Sequence, residues 1–259
     1  MIRKLHELYQ YREMIVSLVR KDLKGRYKGS VLGFLWTFLN PLLQLLVYTM
    51  VFSVILKSGI PNYYLHLFVA LVPWIFFASS LTTGAKLVLD QKNMIKKIYF
   101  PREVLPVAYT FSSFCNMLFS FIIIFLVIAV MRLGVNFAAL PWLLPVMAIQ
   151  FMLVLGMNLI TSAVTVYIRD LEHIMGVVSM AWMYLSPVVY GIKFVPETWH
   201  KWYLLNPMAP LVLSYRDILY YQRAPQLRYL AVAAGISLLV LCLGYFVFEK
   251  LQRRFAEVL

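Results

Sequence analysis

Long apolar runs separated by short polar stretches dominate the chain. Each run is near or above the ~20 residues that a helix needs to cross the hydrocarbon core of a bilayer. Because a helix satisfies its own backbone hydrogen bonds in lipid, each run is predicted to be a transmembrane helix. The fifth run is the shortest, and Pro187 near its end predicts a bend. The six predicted spans cover residues 31–56, 63–85, 105–131, 141–167, 174–192 and 229–248.

Composition supports this interpretation of the pattern. Hydrophobic residues make up 62% of the chain and charged residues only 14%, whereas a soluble domain averages about half apolar and a quarter charged residues. We therefore expect an all-α integral membrane protein. Residues 31–259 would form one domain of six transmembrane helices, and residues 1–30 would form a separate leader in front of it.

Basic residues are distributed unevenly between the two sets of loops. With the N-terminus inside, 17 of the 24 Lys and Arg residues fall on the cytoplasmic side and seven on the outer side. Since cytoplasmic loops carry an excess of Lys and Arg, this count predicts that both termini are cytoplasmic. Residues 86–104 then lie on the cytoplasmic face and residues 193–228 on the outer face. In a polytopic protein such charge indicates topology and contact with anionic lipid rather than with nucleic acid.

The charged leader, residues 1–30, has the pattern of an amphipathic helix. Such a helix lies along the inner membrane interface and does not cross it. Gly25, Gly29 and Gly33 follow at intervals of four, which suits either a close approach of two helices or a flexible bend into the first span, and both interpretations stay open. Apolar residues recur at helical spacing beside basic ones: Val16, Val19, Leu23 and Tyr27 with Arg12, Arg20, Lys21, Lys24 and Lys28.

Residues 193–228 combine prolines with many aromatic residues. Asn206 before Pro207 is a favourable N-cap with proline at the first helical position. We expect short outer-face helices before the last span, with Trp199, Trp202 and Tyr203 at the level of the headgroups. An external loop that carries an interfacial aromatic belt is the alternative.

The spans contain little charged chemistry. All eleven acidic residues lie in loops or at span ends, whereas an ion-coupled transporter or pump would carry carboxylates within the membrane. The sequence G-x-x-x-x-G-K-[ST] does not occur, so we do not expect this chain to bind ATP through a phosphate loop. Cys115, Cys242, His66 and His173 stand singly, and we expect neither catalytic residues nor a metal site. A membrane enzyme that modifies glycolipids is the alternative from a different class, but it would need clustered acids.

Several polar and aromatic residues fall within the predicted spans. Asn40, Gln44 and Asn158 read as buried polar residues that need partners across a helix interface or a wet cavity. Trp74 and Trp182 fall at the centres of spans two and five, and such rings suit the apolar faces of sugars. Packing between helices explains any single ring as well, and both interpretations stay open.

The stretch NMIKKIYFPREVLP, residues 93–106, is too polar for the membrane and too apolar for a simple connector. A short amphipathic helix ended by Pro101 would keep its lysines in water and present its apolar side chains to a groove in a partner. An ordinary basic loop explains the charge of the stretch but not its apolar residues. The residues presented would be Met94, Ile95, Ile98 and Tyr99.

Four stretches of the chain resemble permease subunits of bacterial polysaccharide-exporting ABC transporters, which serve O-antigen, capsule and teichoic acid export. They occur in the order expected for that family and together span nearly the whole chain. They are LVRKDLKGRYKGSVLGFLWTFLNPLLQLLVYTMVFSVIL (18–56), YFPREVLPVAYTFSSFCN (99–116), VYIRDLEHIMGVVSMAWMYLSPVVY (166–190) and LNPMAPLVLSYRDILY (205–220).

This resemblance implies a six-span permease that forms a homodimer in the bacterial cytoplasmic membrane. Two separate nucleotide-binding ATPase subunits would attach on the cytoplasmic side and bind ATP and Mg²⁺, so that this chain itself holds no cofactor. The substrate would be a polysaccharide such as O-antigen on undecaprenyl pyrophosphate, moved outward between the two permeases. The alternatives are a capsule or teichoic acid export permease and a drug or small-lipid ABC exporter permease.

The resemblance also implies roles for three groups of residues. The loop over residues 86–104 would be the coupling segment that docks into the ATPase, with its contacts at Asn93, Met94, Ile95, Lys96, Lys97, Ile98, Tyr99 and Phe100. The channel would be lined by Trp36, Tyr48, Trp74, Trp182, Tyr184 and Tyr190. Clustered cations suit phosphate, so the lipid pyrophosphate would meet Arg20, Lys24, Arg26 and Lys28. Ordinary anchoring at the inner interface also explains these four.

Overall fold

The computed structural model describes residues 7–26, 28–55, 57 and 59–259. Parts of the predicted leader and first span, namely residues 1–6, Tyr27 and Leu56, lie outside the described residues. The described part is helical and contains no strand. Five helices within it are long and apolar enough to cross a membrane: Gly33–Ile55, Tyr63–Lys97, Val104–Val130, Leu140–Thr165 and Leu227–Arg254. The all-α membrane architecture is thereby confirmed, with five of the six predicted spans.

The helices are numbered here in chain order. They are α1 (Arg12–Gly25), α2 (Trp36–Thr49), α3 (Tyr63–Leu81), α4 (Leu87–Asp90), α5 (Lys92–Lys97), α6 (Val104–Val130), α7 (Leu143–Thr165), α8 (Leu171–Tyr184), α9 (His200–Tyr203), α10 (Met208–Leu219), α11 (Leu227–Leu251) and α12 (Phe255–Val258). After Thr49, α2 continues as a π-helical segment to Ile55.

The bundle has two ends, which hydrogen bonds between distant residues define. The basic end contains residues 86–104, 166–173 and 249–259, and there the hydroxyl of Tyr167 donates to the carbonyl of Leu251 over 2.8 Å. The aromatic end contains residues 57, 59–63, 131–142 and 186–229. Here Gln222 Nε2 donates to the carbonyl of Leu133 over 2.7 Å.

Helix α3 is the centre of the bundle. Its sequence is apolar on every side, which is typical of a helix that neighbours surround completely. Leu67, Phe68 and Leu71 have no exposed surface, and α3 contacts α2, α6, α7, α8 and α10. Gln150 of α7 donates to the carbonyl of Pro73 over 2.7 Å and so joins α3 to α7 by a buried hydrogen bond.

Helices α7 and α11 make the closest helix pair, through two glycines. A Cβ atom on Gly244 would lie 2.4 Å from the carbonyl oxygen of Gly156, and one on Gly156 would lie 2.7 Å from the backbone nitrogen of Leu241. Small residues allow backbones to approach this closely within a membrane. The sequence analysis did not anticipate this pair.

The glycines of the leader take the second of the two interpretations given above. A Cβ atom on Gly25, Gly29 or Gly33 would meet nothing within 4 Å, so no helix of the described chain approaches them closely. Gly29 and Gly33 instead have positive φ angles of +84° and +46°, a conformation that glycine adopts at little cost. Gly29 and Gly33 therefore form the bend that joins the leader to α2, whereas Gly25 is the last residue of α1.

The fifth predicted span, 174–192, is a shorter helix followed by irregular chain. Helix α8 has 14 residues and is about 21 Å long, which is less than the ~30 Å hydrocarbon core. The helix ends at Tyr184, before Pro187, because the residue preceding a proline disfavours helical backbone. The expected bend at Pro187 is confirmed. Residues 185–190 complete the path from the basic end to the aromatic end.

Candidate functional site

The coupling segment at the basic end is a short helix, α5, followed by extended chain. The backbone of Ile98 is extended, with φ −131° and ψ 135°, so the helix ends at Lys97. Ile98 is 57% exposed and Tyr99 is 94% exposed. These two residues are available to a partner, as the sequence predicted.

Ile95 does not take the outward position that the helical pattern predicted. It is 7% exposed, and Phe100 is 5% exposed. Both side chains belong to a core that also contains Val104, Phe248 and Phe255. The predicted contact with a partner is wrong for Ile95 and Phe100, because these two side chains anchor the segment to that core. The change to extended backbone between them turns Ile98 away from the core.

The C-terminal segment supports the coupling segment through polar contacts. Arg102 Nη1 donates to the carbonyl of Gln252, and Gln252 Nε2 donates to Glu103 Oε1 over 2.8 Å. The Arg102 guanidinium also lies 5.9 Å from the centre of the Phe255 ring. A cavity of about 480 Å³ separates the two segments. Sequence reasoning missed this support because about 150 residues separate the partners, and no local pattern connects them.

Lys86, directly before α4, and Glu172 of α8 form an ion pair at the basic end. Their Nζ and Oε1 atoms are 2.6 Å apart. This ion pair holds the beginning of α8 against the chain around Lys86.

Helix α1 is fixed to α6 by a half-buried polar cluster. Arg26 Nε lies 2.8 Å from Asp22 Oδ2, and Arg26 Nη2 donates to Ser113 Oγ over 3.0 Å. Ser112 Oγ donates to the same carboxylate oxygen, and the Arg26 guanidinium lies 5.5 Å from the centre of the Tyr109 ring. Of the four cations predicted to meet pyrophosphate, Arg26 thus faces protein, whereas Arg20, Lys24 and Lys28 are exposed.

The apolar residues of α1 are divided between two faces. Met14, Ile15 and Leu18 pack against the core at the basic end. Val16, which the pattern placed on the apolar face, is 46% exposed. The helix therefore packs on the bundle with one apolar face and leaves Val16 outside it.

Five of the six predicted channel residues lie along α2, α8 and the chain that follows α8. Tyr48 donates its hydroxyl hydrogen to Met183 Sδ over 3.8 Å and so joins α2 to α8. Trp182 Nε1 donates to Asn206 Oδ1 over 2.9 Å. The hydroxyl of Tyr190 donates to the carbonyl of Tyr184 over 2.7 Å. Tyr184 itself is 52% exposed.

Trp74 is the predicted channel residue that lies in a different helix, α3. Trp74 is 4% exposed, and its ring centre lies 5.5 Å from that of Phe77 inside the bundle. Of the two interpretations given above, packing between helices is therefore the one that fits Trp74. Trp36 lies at the start of α2, where its Nε1 donates to Ser30 Oγ over 2.9 Å.

Helix α2 carries an open polar row. Asn40 and Gln44, expected to be buried, are exposed in this single chain, whereas Asn158 is buried and donates to Thr110 Oγ1 over 2.7 Å. Trp36, Asn40, Gln44 and Tyr48 follow one another at intervals of four, so they lie along one side of the helix. Polar side chains on a spanning helix face a bundle interior or a water-filled space rather than lipid. This side of α2 is therefore unsuited to lipid.

The aromatic end contains the predicted short helices α9 and α10. Asn206 Oδ1 accepts a hydrogen bond from the Met208 N–H at the start of α10 over 3.1 Å, although the N-cap position is Pro207 and not Asn206 as predicted. Trp199 and Trp202 are 62% and 68% exposed. A shallow apolar depression beside them includes Trp182 and Tyr203.

Comparison with known proteins places these features in a family. A model of the ABC-2 type transporter family matches residues 13–220. The O-antigen export system permease protein RfbA of Myxococcus xanthus is 38% identical over 264 residues, which is 99% of either chain. A protein of the same name from Klebsiella pneumoniae is 32% identical over 250 residues, 95% of either chain. The polysialic acid transport protein KpsM of Escherichia coli is 19% identical over 233 residues, 87% of this chain and 90% of that protein.

The chain belongs to the ABC-2 type transporter family, as a membrane-spanning subunit. The resemblance seen in the four sequence stretches is thereby confirmed.

Proposed function

We propose that this chain is the permease subunit of an ATP-driven exporter that moves O-antigen, on a lipid carrier, across the bacterial cytoplasmic membrane. The observation that carries the proposal is the similarity to two O-antigen export permeases over nearly the full length of each chain. The relative named for polysialic acid transport shares about half that identity, so a capsule polysaccharide is the second candidate substrate.

Two copies of the chain would form the pathway, with their α2 and α8 faces turned toward each other. The polar row that includes Asn40 and Gln44 is exposed in the single chain, and such side chains need a partner or water within a membrane. Exposed Tyr184 and the outward side of Tyr48 would offer rings to the sugar faces of a passing glycan. A pathway between two copies would give the polar row a partner or water and would place the rings beside the glycan.

A separate ATPase would bind at the basic end. Ile98 and Tyr99 are apolar or aromatic, exposed and held on a buried anchor, which suits insertion into a groove of a partner. The same end carries most of the basic residues, which supports a cytoplasmic orientation with both termini inside. ATP and Mg²⁺ would bind to that partner.

We also assign the sixth crossing and the site for the carrier lipid. Residues 171–190 connect the two ends of the bundle and would make the sixth crossing. Arg20, Lys24 and Lys28 are exposed on or just after α1 and are the cations we assign to the pyrophosphate of the carrier lipid. Arg26 would instead hold α1 in position.

Deletion of the gene in its source bacterium tests the proposal. We expect the O-antigen to disappear from the cell surface while carrier-linked polymer accumulates inside, and a plasmid copy of the gene should restore export. Loss of capsule with intact O-antigen would favour the second candidate. Normal export of both polymers would contradict the proposed function.

A further inference from the structure

A large cavity at the aromatic end has no part in the pathway described above. It opens to the outside and is lined by the loop at residues 59–61, by residues 191–194 after α8, and by residues from 213–229, which form the end of α10, the connection after it and the beginning of α11. Its volume is about 730 Å³, within the range of roughly 300–1,000 Å³ typical of small-molecule sites. We call it the tyrosine cavity, after Tyr220, Tyr221 and Tyr229 in its wall.

The charge of the tyrosine cavity favours an anion. Three cations line it, Lys193, Arg216 and Arg223, against a single carboxylate, that of Asp217. Asp217 Oδ1 lies 2.5 Å from Arg223 Nη2, so these two charges offset each other. Arg216 and Lys193 remain as excess positive charge, and a concave site lined by one sign of charge attracts ligands of the opposite sign.

Arg216 contributes a buried charge rather than a surface one. Its side chain is 1% exposed, and the guanidinium donates to backbone carbonyl groups, including those of His66 over 3.1 Å and Val188 over 2.7 Å. Carbonyl dipoles solvate this cation without cancelling its charge. In the low dielectric of the interior, an uncancelled charge acts more strongly on a ligand than it would in water.

The aromatic wall adds a second requirement to the ligand. The rings of Tyr220 and Tyr221 lie edge to face, with their centres 4.8 Å apart, and the Arg223 guanidinium lies 5.1 Å from the centre of the Tyr221 ring. Tyr221 is 51% exposed. Rings beside polar and charged groups suit a sugar, whose C–H faces pack on the ring while its hydroxyl groups form hydrogen bonds. Inorganic phosphate by itself would leave this wall unused.

One buried atom in the wall has no partner within the part of the chain that the structure describes. His66 is 2% exposed, and its Nδ1 atom makes no hydrogen bond there. Buried polar side-chain atoms without any partner are uncommon. A ligand hydroxyl or phosphoryl oxygen in the cavity would supply the missing hydrogen bond.

We propose that the tyrosine cavity binds a sugar that carries a phosphoryl group. Lys193 would contact the phosphoryl group, the buried charge of Arg216 would attract it through the cavity wall, and the tyrosine wall would hold the sugar ring. A carrier-linked glycan has this chemistry where its first sugar joins the pyrophosphate, so one source of the ligand rests on the proposed function. A soluble sugar phosphate is the other source.

Binding to the purified chain in nanodiscs of neutral lipid tests the site without any ATPase or transport. Isothermal titration with glucose 1-phosphate, glucose and inorganic phosphate separates the two parts of the ligand. We expect glucose 1-phosphate to bind about tenfold more tightly than either fragment. Equal binding of glucose 1-phosphate and phosphate, or no binding of glucose 1-phosphate, would overturn the proposal.

Two exposed positions allow variants that should leave the fold intact. Lys193→Glu should weaken binding of glucose 1-phosphate about tenfold by charge repulsion, and Tyr221→Ala should remove the preference for glucose 1-phosphate over phosphate. Lys201→Glu is the matched control, since Lys201 is exposed at the same end but does not line the cavity. Equal weakening by Lys193→Glu and Lys201→Glu at unchanged thermal midpoints would sink the assignment.

A competition experiment then identifies the source of the ligand. A short sugar linked to undecaprenyl pyrophosphate is placed in the nanodisc while glucose 1-phosphate is titrated. Competition would support the site and assign it to the exported glycolipid, whereas binding that stays unchanged would support it as a site for a soluble sugar phosphate. Since no export is measured, this site and the proposed export function can fail independently.

Discussion

The short helices at the two ends of the bundle differ in how deeply they are buried. At the aromatic end all twelve residues of α10 are buried, and Arg216 supplies hydrogen bonds to the irregular chain after α8. At the basic end, α5 has one buried residue, Ile95, and is followed by Tyr99 at 94% exposure. Helix α10 is thus buried, whereas α5 and the residues that follow it are largely exposed.

The difference in burial follows from the different requirements at the two ends: backbone hydrogen bonds at the aromatic end and a binding surface at the basic end. Irregular backbone within a membrane needs partners inside the protein, and residues 185–190 obtain them from Arg216 and Asn206. A surface for a partner instead needs side chains that are exposed yet held in place. Substitutions at the aromatic end should therefore mainly lower the stability of the chain, and those at the basic end should mainly change what it binds.

Arg216→Met has the largest expected effect on stability. The substitution removes the donor to four carbonyl groups, and buried acceptors without partners cost about 1 kcal/mol or more each. We expect a loss of at least about 3 kcal/mol in the free energy of unfolding, seen as a large fall in the thermal midpoint in detergent. Arg228→Met, at an exposed position of the same end, is the control and should change little. Similar midpoints for both variants would show that the aromatic end does not depend on this cation.

Gly244→Ala should have the next largest effect, and it should weaken both ends together. The added methyl group would lie 2.4 Å from the carbonyl oxygen of Gly156, and backbone atoms cannot yield as a flexible side chain does. We expect about 1–3 kcal/mol of destabilisation from overpacking. Gly235→Ala on the same helix meets nothing within 4 Å and should be neutral or slightly stabilising. Equal midpoints for the two alanine variants would contradict the close packing of α7 and α11.

Gln252→Ala should have a smaller effect that is confined to the basic end. Glu103 is 4% exposed and would lose the donor that lies 2.8 Å from its Oε1 atom, at a cost of about 1 kcal/mol. We also expect weaker capture of a co-expressed ATPase, because Glu103 and Arg102 position the coupling segment. Arg253→Ala, the neighbouring exposed residue, should keep the wild-type midpoint. If the two substitutions lower the midpoint equally, the support assigned to the C-terminal segment is wrong.

Ile98→Asp and Tyr99→Asp should have the smallest effect on stability and the clearest effect on binding. Both side chains are exposed, so the free energy of unfolding should change by no more than about 0.5 kcal/mol. Capture of the ATPase by affinity-tagged permease should nevertheless be lost, because a carboxylate would enter the apolar groove. Leu205→Asp places the same charge on an exposed apolar residue of the aromatic end and should bind the ATPase normally. Normal capture by the Ile98 and Tyr99 variants would remove the coupling assignment.

Individual residues show which features of the structure the sequence pattern predicts and which it does not. Ile95 and Ile98 are three positions apart, so a continuous helix would place them on one side. The helix ends between them, and one is buried while the other is exposed. Arg216 appears in the sequence as one of several basic residues of an outer loop, yet it is buried at 1% exposure. A periodic pattern carries no information on where a short helix ends or which loop folds back into the core.

The sequence by itself determined the helical membrane architecture, the positions of five spans, the family and the exposed pair Ile98 and Tyr99. These features depend on local composition and spacing, because the bilayer requires long apolar helices whatever their neighbours are. Only the tertiary structure decided the contact of Gly156 with Gly244, the link from Gln252 to Glu103 and the tyrosine cavity around Arg216. Each of these joins residues that are distant in sequence, and their partners are chosen by how the helices pack against one another.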